Sequence, residues 1–98
     1  MPTHHHRDPC NDKNWPKPGE SPAHPKEDVT WHNSQGNAVT VRANPANEFP
    51  FDQPGEPHVV TPNQPFDCRI KDLPPGTYIY NVDPCPPGPD TPKTVIIS

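Results

Sequence analysis

Apolar and polar residues alternate in short runs along most of this chain, from residue 28 onward. The alternation is cleanest in Phe66-Asp67-Cys68-Arg69-Ile70-Lys71, where Phe66, Cys68 and Ile70 share one face. A period of two is typical of a β-strand with one buried side. The same pattern, with turn residues between the runs, predicts strands at residues 29–33, 38–42, 58–61, 66–71, 77–82 and 94–97.

Clusters of Asn, Gly and Pro separate these predicted strands. Residues 44–55 are expected to form a long loop, from which Phe49 and Phe51 fold back onto the core. Residues 84–93 contain five prolines and are expected to form a stiff loop. Seven or so short strands with turns between them predict an all-β fold, a β-sandwich.

Residues 1–27 have a different texture, because they are rich in proline and poor in apolar side chains. We expect an irregular, extended segment with at most one short edge strand around His5–Cys10. Trp15 is expected to be exposed, covering a sheet edge or contacting a partner. The predicted organisation is a Pro-rich segment, 1–27, laid against a sandwich domain, 28–98.

Composition narrows the functional classes. The chain has 98 residues, of which 28% are hydrophobic and 19 are proline, and its formal net charge is −4. Proline lowers the entropy of the unfolded chain, so a small core can suffice. Proline and glycine rule out long helices, and no apolar run is long enough for a membrane span. Eight basic against twelve acidic residues, without a basic block, argue against a nucleic-acid partner.

Two stretches resemble the cupredoxin family, of the plastocyanin and amicyanin type. Val29-Thr30-Trp31-His32-Asn33 is similar to the strand before the first copper ligand. Gly76-Thr77-Tyr78-Ile79-Tyr80-Asn81, with Thr94-Val95-Ile96-Ile97, is similar to the family's penultimate and last strands. The resemblance covers residues 28–98 and implies a Greek-key sandwich of two sheets.

The copper ligands implied by the resemblance are missing. Asn37 stands near the place of the first histidine, Val82 at the cysteine, Cys85 at the second histidine and Pro92 near the methionine. Blue copper requires two imidazoles and one thiolate. The sequence therefore predicts a copper-free domain without a cofactor, non-enzymatic and with a binding or structural role. The alternative is a metal-handling or electron-transfer protein with a non-standard site, using Cys85 with His32 or His58.

The three cysteines leave several pairings open. Cys68 is expected in the core. The resemblance implies that Cys10 and Cys85 lie at the same end of the fold, which favours a disulfide between them, whereas Cys68–Cys85 or no disulfide are the alternatives. A disulfide would place the protein outside the cytoplasm, in an extracellular or periplasmic compartment, if a signal has been removed. The start of the sequence has no signal-peptide pattern, so a cytoplasmic protein is the other possibility.

His4-His5-His6 is the one metal-like cluster in the sequence. The first interpretation is a disordered tail or the remnant of a tag. The second is a Cu(II) or Ni(II) site through Pro2, Thr3 and His4 after removal of Met1, since an amine, two backbone nitrogens and an imidazole suit square-planar metals. No catalytic elbow, phosphate loop or paired acid and base is visible. We expect a monomer, and the sequence leaves the identity of its partner open, with a protein as the candidate.

Overall fold

Nine strands in two sheets make up the computed structural model, which describes residues 4–52, 57–85 and 91–98. No helix occurs among these residues, so none of them forms a helix that could span a membrane. The strands are β1 (His4–Arg7), β2 (Asn14–Trp15), β3 (Asp28–Trp31), β4 (Val39–Ala43), β5 (Phe51–Asp52), β6 (His58–Val60), β7 (Phe66–Ile70), β8 (Gly76–Asp83) and β9 (Thr91–Ile97).

The strands divide between a four-stranded sheet, called sheet I, and a five-stranded sheet, called sheet II. Sheet I has the order β1-β3-β7-β5, and sheet II has the order β2-β9-β8-β4-β6. Both sheets are mixed, because β1 runs parallel to β3 and β2 runs parallel to β9, whereas the other pairs are antiparallel. The all-β prediction is confirmed, and two such sheets are compatible with a β-sandwich.

Aromatic rings from both sheets form the centre of the core. Trp31 of β3 lies 5.2 Å from Phe51 of β5 and 6.0 Å from Tyr80 of β8, measured between ring centroids. Phe51 and Tyr80 meet edge-to-face, the geometry that aromatic pairs prefer. Phe49 and Phe51 are both buried, as predicted for the loop that carries them. Large rings therefore supply much of the buried area that a chain poor in aliphatic residues needs.

The predicted strands are confirmed from β3 to β8 apart from small shifts at their ends. Two loops differ from the prediction. The loop of residues 44–55 contains the short strand β5, and the last strand begins at Thr91 rather than at Thr94. Residues 86–90 of the predicted stiff loop lie outside the described residues. Pairing with β8 extends β9 toward its amino-terminal end, since the two strands remain paired from Gly76 with Ile97 to Val82 with Thr91.

The amino-terminal segment is more regular than predicted, because the edge strand expected around His5–Cys10 is present as β1, His4–Arg7, and β2 is a second strand that was not expected. It supplies one edge strand to each sheet, β1 to sheet I and β2 to sheet II. The tail interpretation of His4-His5-His6 is wrong, because these residues pair with β3. The predicted exposure of Trp15 is also wrong, since only 1% of it is exposed. Farther along, Ala23 bridges to Ile97, so the segment touches sheet II twice.

Candidate functional site

Cys10 and Cys85 join the amino-terminal segment to the end of β8. Their sulfur atoms lie 2.12 Å apart, which is disulfide distance, and their Cα atoms lie 5.4 Å apart. Cys68 is the free cysteine of the three and is buried in β7. Burial raises the pKa of the Cys68 thiol to about 12. The structure thus pairs the two loop cysteines and leaves the core cysteine as an unreactive thiol.

The positions that the family resemblance assigned to copper are occupied by groups of other kinds. Val82 is fully buried and faces the core from β8, where it pairs with Val41 and Thr91. Asn37 is exposed, and its amide donates to the carbonyl of Ala38. Cys85 carries its sulfur in the contact with Cys10. These positions therefore present no imidazole and no free thiol.

The alternative ligands, His32 and His58, lie in unlike surroundings. His58 is fully buried, and its ring centroid is 5.1 Å from that of Phe49 and 4.9 Å from that of Phe66. His32 is exposed, as predicted, and contacts another histidine. Within the described ranges, no three His, Cys, Asp or Glu side chains converge as a metal-binding group. The structure does not bring Cys85 together with either histidine in such a group.

A cleft of about 520 Å³ opens where β1 and β3 end and β7 begins. The turn between β6 and β7, residues 62–65, forms one wall. The opposite walls come from the ends of β1 and β3 and the residues after them: His6, Arg7, Asp8, His32, Asn33 and Ser34. A contact of 3.0 Å between Asn11 and Ser34 ties the region of Cys10 to the same end. The cleft and the cysteine pair are therefore neighbours at one end of the molecule, called the cleft end below.

Asn33 fixes the loop beside the cleft. Its buried amide donates to the carbonyls of Asn37, at 2.9 Å, and Val60, at 3.0 Å. Its side-chain oxygen accepts from the backbone N–H of Gln35 at 2.8 Å. An Asn side chain that satisfies backbone groups in this way holds a turn without regular secondary structure. The cleft wall is therefore built on a fixed loop.

Arg7 lies almost fully buried at the base of the cleft. Its guanidinium carbon stands 4.4 Å from the ring centre of Trp15, and its two terminal nitrogens donate to Glu20 and to the carbonyl of Asn14. A turn of residues 17–20 brings Glu20 to this place, and Gly19 in the turn has a positive φ of 82°. Glycine adopts this conformation without a steric penalty, so the Pro-Gly pair suits the turn.

Two carboxyl groups beside Arg7 are held in their charged form. Burial alone raises the pKa of Asp12 and Glu20, but other contacts outweigh it. Asp12 accepts from the backbone N–H of Asp8 at 2.6 Å and from Lys17 at 2.7 Å. Glu20 accepts from Arg7 and from the Lys17 backbone. The net result lowers both pKa values, so this network carries compensated charges.

Lys93 is a second buried cation, and it extends from β9 to the carbonyl of Cys10, 2.8 Å away. Burial is the main cause that lowers its pKa, and the charge of Lys13 adds to the effect. Tyr80 is its register neighbour on β8, and burial raises the pKa of the Tyr80 hydroxyl. Hydropathy did not reveal Lys93, but its spacing did carry a signal. Lys93, Val95 and Ile97 have one parity, and all three are buried.

Three histidines form a row on the exposed side of sheet I. His4, the predicted metal ligand, stacks on His6 with ring centroids 4.7 Å apart, and His6 stacks on His32 at 5.2 Å. His4 Nε2 also contacts Thr30 Oγ1 at 2.7 Å. Pro2 and Thr3, the other members of the predicted set, lie outside the described residues. The contact between His6 and His32 has no local signal in the sequence, because pairing of β1 with β3 creates it.

We compared the chain with models of protein families, with curated proteins and with solved structures, and none of them matched.

Proposed function

We propose that this chain is a cupredoxin-like Greek-key domain, free of copper at the family's ligand positions and non-enzymatic, which binds a protein partner at its cleft end. The arrangement of the two motifs supports the fold part of the proposal. Val29-Thr30-Trp31 lies in β3 of sheet I, and the Gly76 to Asn81 motif lies in β8 of sheet II. Consecutive strands from β1 to β8 alternate between the two sheets, and connections that cross between sheets are a feature of Greek-key sandwiches.

The copper-free part rests on one observation, the contact between Cys85 and Cys10. Copper of the blue type needs a thiolate, and Cys85 is the cysteine nearest to the family's ligand positions. Its sulfur is at disulfide distance from Cys10, and Cys68 lies buried in β7. A disulfide pair also fits an oxidising, extracellular compartment, which is where we propose that the domain works.

The binding role is supported by the shape and order of the cleft end. A cleft of about 520 Å³ lies within the size range of known ligand-binding pockets. Its walls are held by the Asn33 contacts and stand beside the cysteine pair. A surface that is ordered before binding loses less conformational entropy when a partner docks. The exposed, polar turn of residues 62–65 provides hydrogen-bonding groups such as those of Asn63 and Gln64.

A Cu(II) titration tests the copper-free part. We expect no intense thiolate-to-copper band in the visible spectrum of the oxidised protein, because its thiols are paired or buried. An intense band that disappears in Cys85→Ala would contradict the proposal.

Site-specific photo-crosslinking tests the binding part. A photoreactive residue is placed at Gln64 in the cleft wall or at Thr77, which is exposed near the start of β8. In extracts of the native host, we expect a discrete protein adduct from position 64 and not from position 77. Equal adducts from both positions, or none specific to position 64, would contradict a docking role for the cleft.

A further inference from the structure

We infer that His6 and His32 form a surface site for a tetragonal divalent metal ion, with Cu(II) as the ion that fits best. His6 Nδ1 lies 3.0 Å from His32 Nε2. These two histidines are not at the cupredoxin ligand positions. If they do not bind a metal ion, the proposed function is therefore unaffected.

The separation of the two nitrogens is compatible with neighbouring ligands of one metal ion. Metal–imidazole bonds are about 2.0–2.1 Å long, so two nitrogens 3.0 Å apart subtend an angle of about 91–97° at a shared metal. Tetrahedral zinc would need the nitrogens about 3.3–3.4 Å apart with the same bond lengths. Neighbouring ligands at a right angle are typical of square-planar or tetragonal Cu(II) and Ni(II).

The two rings are held together before any metal arrives. Pairing of β1 with β3 brings their strands side by side, and the backbone N–H of His32 donates to the carbonyl of Arg7 at 2.8 Å. His4 stacks on His6 at an interplanar angle of 9°. Strand pairing therefore brings the two side chains together, and binding requires only that the rings rotate from the hydrogen-bonded arrangement until both inner nitrogens point at one ion.

The orientation of His4 follows from a chain of hydrogen bonds. The Thr30 hydroxyl donates to Asp67 at 2.7 Å, so it accepts from His4 Nε2–H. His4 is thus a positioning residue for the ring of His6, with its Nε2 engaged elsewhere.

The proton between the two rings is the group that the metal replaces. In the neutral pair, one ring donates its N–H to the lone pair of the other. When the metal binds, the donor ring moves its proton to its outer nitrogen, and both inner lone pairs ligate the metal. No net proton is released. Both histidines are exposed and line the cleft, so water can occupy the remaining coordination positions.

The experiment measures Cu(II) binding to the full chain extended by Gly-Ser before Met1. The extension abolishes the alternative site of Pro2, Thr3 and His4, because it moves the free amine away. Affinity is measured by calorimetry and the ligand nitrogens by electron paramagnetic resonance. The variants are His6→Gln, His32→Gln, the double variant, His4→Gln and the control His24→Gln, since His24 is an exposed histidine in the turn before β3.

We expect the extended wild-type chain to bind one Cu(II) with two imidazole nitrogens. His6→Gln and His32→Gln should each lower the affinity at least about tenfold, because one of two imidazole ligands is lost. The double variant should lose little more than either single variant, since both remove the same site. His4→Gln should weaken binding less, and His24→Gln should match the wild type.

Two results would overturn the inference. One is affinity within about twofold of wild type in both His6→Gln and His32→Gln. The other is a loss in His24→Gln as large as theirs, which would indicate nonspecific surface binding. Circular dichroism checks that the variants fold, and a rise in melting temperature on adding Cu(II), present in wild type and absent in the pair variants, gives a second measure.

Discussion

The amino-terminal segment, residues 4–27, and the strands that follow it are held in place by different kinds of contact. The later strands pack apolar faces together around Trp31, Phe51 and Tyr80. The segment has few apolar residues, and charged or polar groups hold it instead, with the ring of Trp15 as its main apolar anchor. A proline-rich stretch with little hydrophobic content can therefore be ordered when its buried charged and polar groups pair with one another and with the later strands.

Contacts of Arg7 and Glu27 account for this difference. Arg7 contacts Glu20 and the ring of Trp15. His5 Nε2 lies 2.8 Å from Glu27 Oε1, which also accepts from the backbone N–H of His24. Both ends of these contacts lie within the segment, whereas Lys93 and Cys85 reach it from the later strands. A buried polar group that is paired lowers stability little. When its partner is removed, the group stays buried without a hydrogen bond, and the protein loses stability by the full desolvation penalty.

The largest effect should come from the aromatic anchors. Trp15→Ala and Trp31→Ala should each lower the free energy of unfolding by about 3–5 kcal/mol, because both side chains are almost fully buried. Val59→Ala is the matched control, since Val59 is 51% exposed, and should change stability by less than about 0.5 kcal/mol. Urea unfolding followed by circular dichroism gives the values. A Trp15→Ala cost close to that of Val59→Ala would show that the segment is only loosely attached.

The next effect concerns the covalent link between the two regions. The double variant Cys10→Ala/Cys85→Ala should lose about 4 kcal/mol, because the link closes a separation of 75 residues and restricts the unfolded chain. Urea unfolding of the oxidised wild type, the reduced wild type and the double variant measures the loss. The reduced wild type and the double variant should have the same free energy of unfolding, because both lack the disulfide. If the reducing agent leaves the free energy of unfolding of the wild type unchanged, the disulfide does not contribute to holding the segment.

A smaller loss of stability should follow when a buried arginine loses its ion pairs, and a still smaller one when an exposed arginine does. Arg7→Met should cost about 2 kcal/mol, since it leaves Asp12 and Glu20 without their buried cation. Arg69→Met, which removes a surface pair with Asp28, should cost less than about 0.5 kcal/mol. Thermal unfolding of both variants provides the measurement. Equal costs would mean that polar contacts do not hold the segment.

The smallest effect is a dependence on acid. Asp12 and Glu20 have pKa values below the ordinary 3.8 and 4.5, so the unfolded chain takes up protons before the folded one. Their contribution to stability is complete above these ordinary values and is lost as the pH falls below them toward the lowered values. Urea unfolding at several acid pH values should show this decline, and it should be shallower in Arg7→Met. An unchanged slope in that variant would contradict the role given to Arg7.

Five strands, β3, β4, β6, β7 and β8, could be predicted because each of them carries its own signal. The short strand β5 was assigned to a loop. Alternating side chains and the turn residues between them are local properties of the sequence. Burial of Phe49, Phe51 and Cys68 followed from the same reasoning. The preference for Cys10 with Cys85 came from the family resemblance and agrees with the sulfur distance in the structure.

The edge strands β1 and β2 carry no such local signal. His4-His5-His6-Arg7 reads as uniformly polar, yet His5 and Arg7 are buried while His4 and His6 are exposed. Buried and exposed side chains do alternate in β1, but all of them are polar, so hydropathy does not show the alternation. Burial of His5 and Arg7 is favourable only because they contact Glu27 and Trp15. The same holds for Lys93, which was assigned to a loop and lies buried in β9.

The sequence by itself determined that this protein is all-β and where most of its strands lie, because hydrophobic periodicity acts over a few residues. The tertiary structure decided which polar side chains are buried, that the amino-terminal segment joins both sheets, and that His6 meets His32. Those contacts join residues 13 to 83 positions apart. Their energies depend on how completely each buried charge or hydrogen-bonding group finds its partner, which only the assembled fold defines.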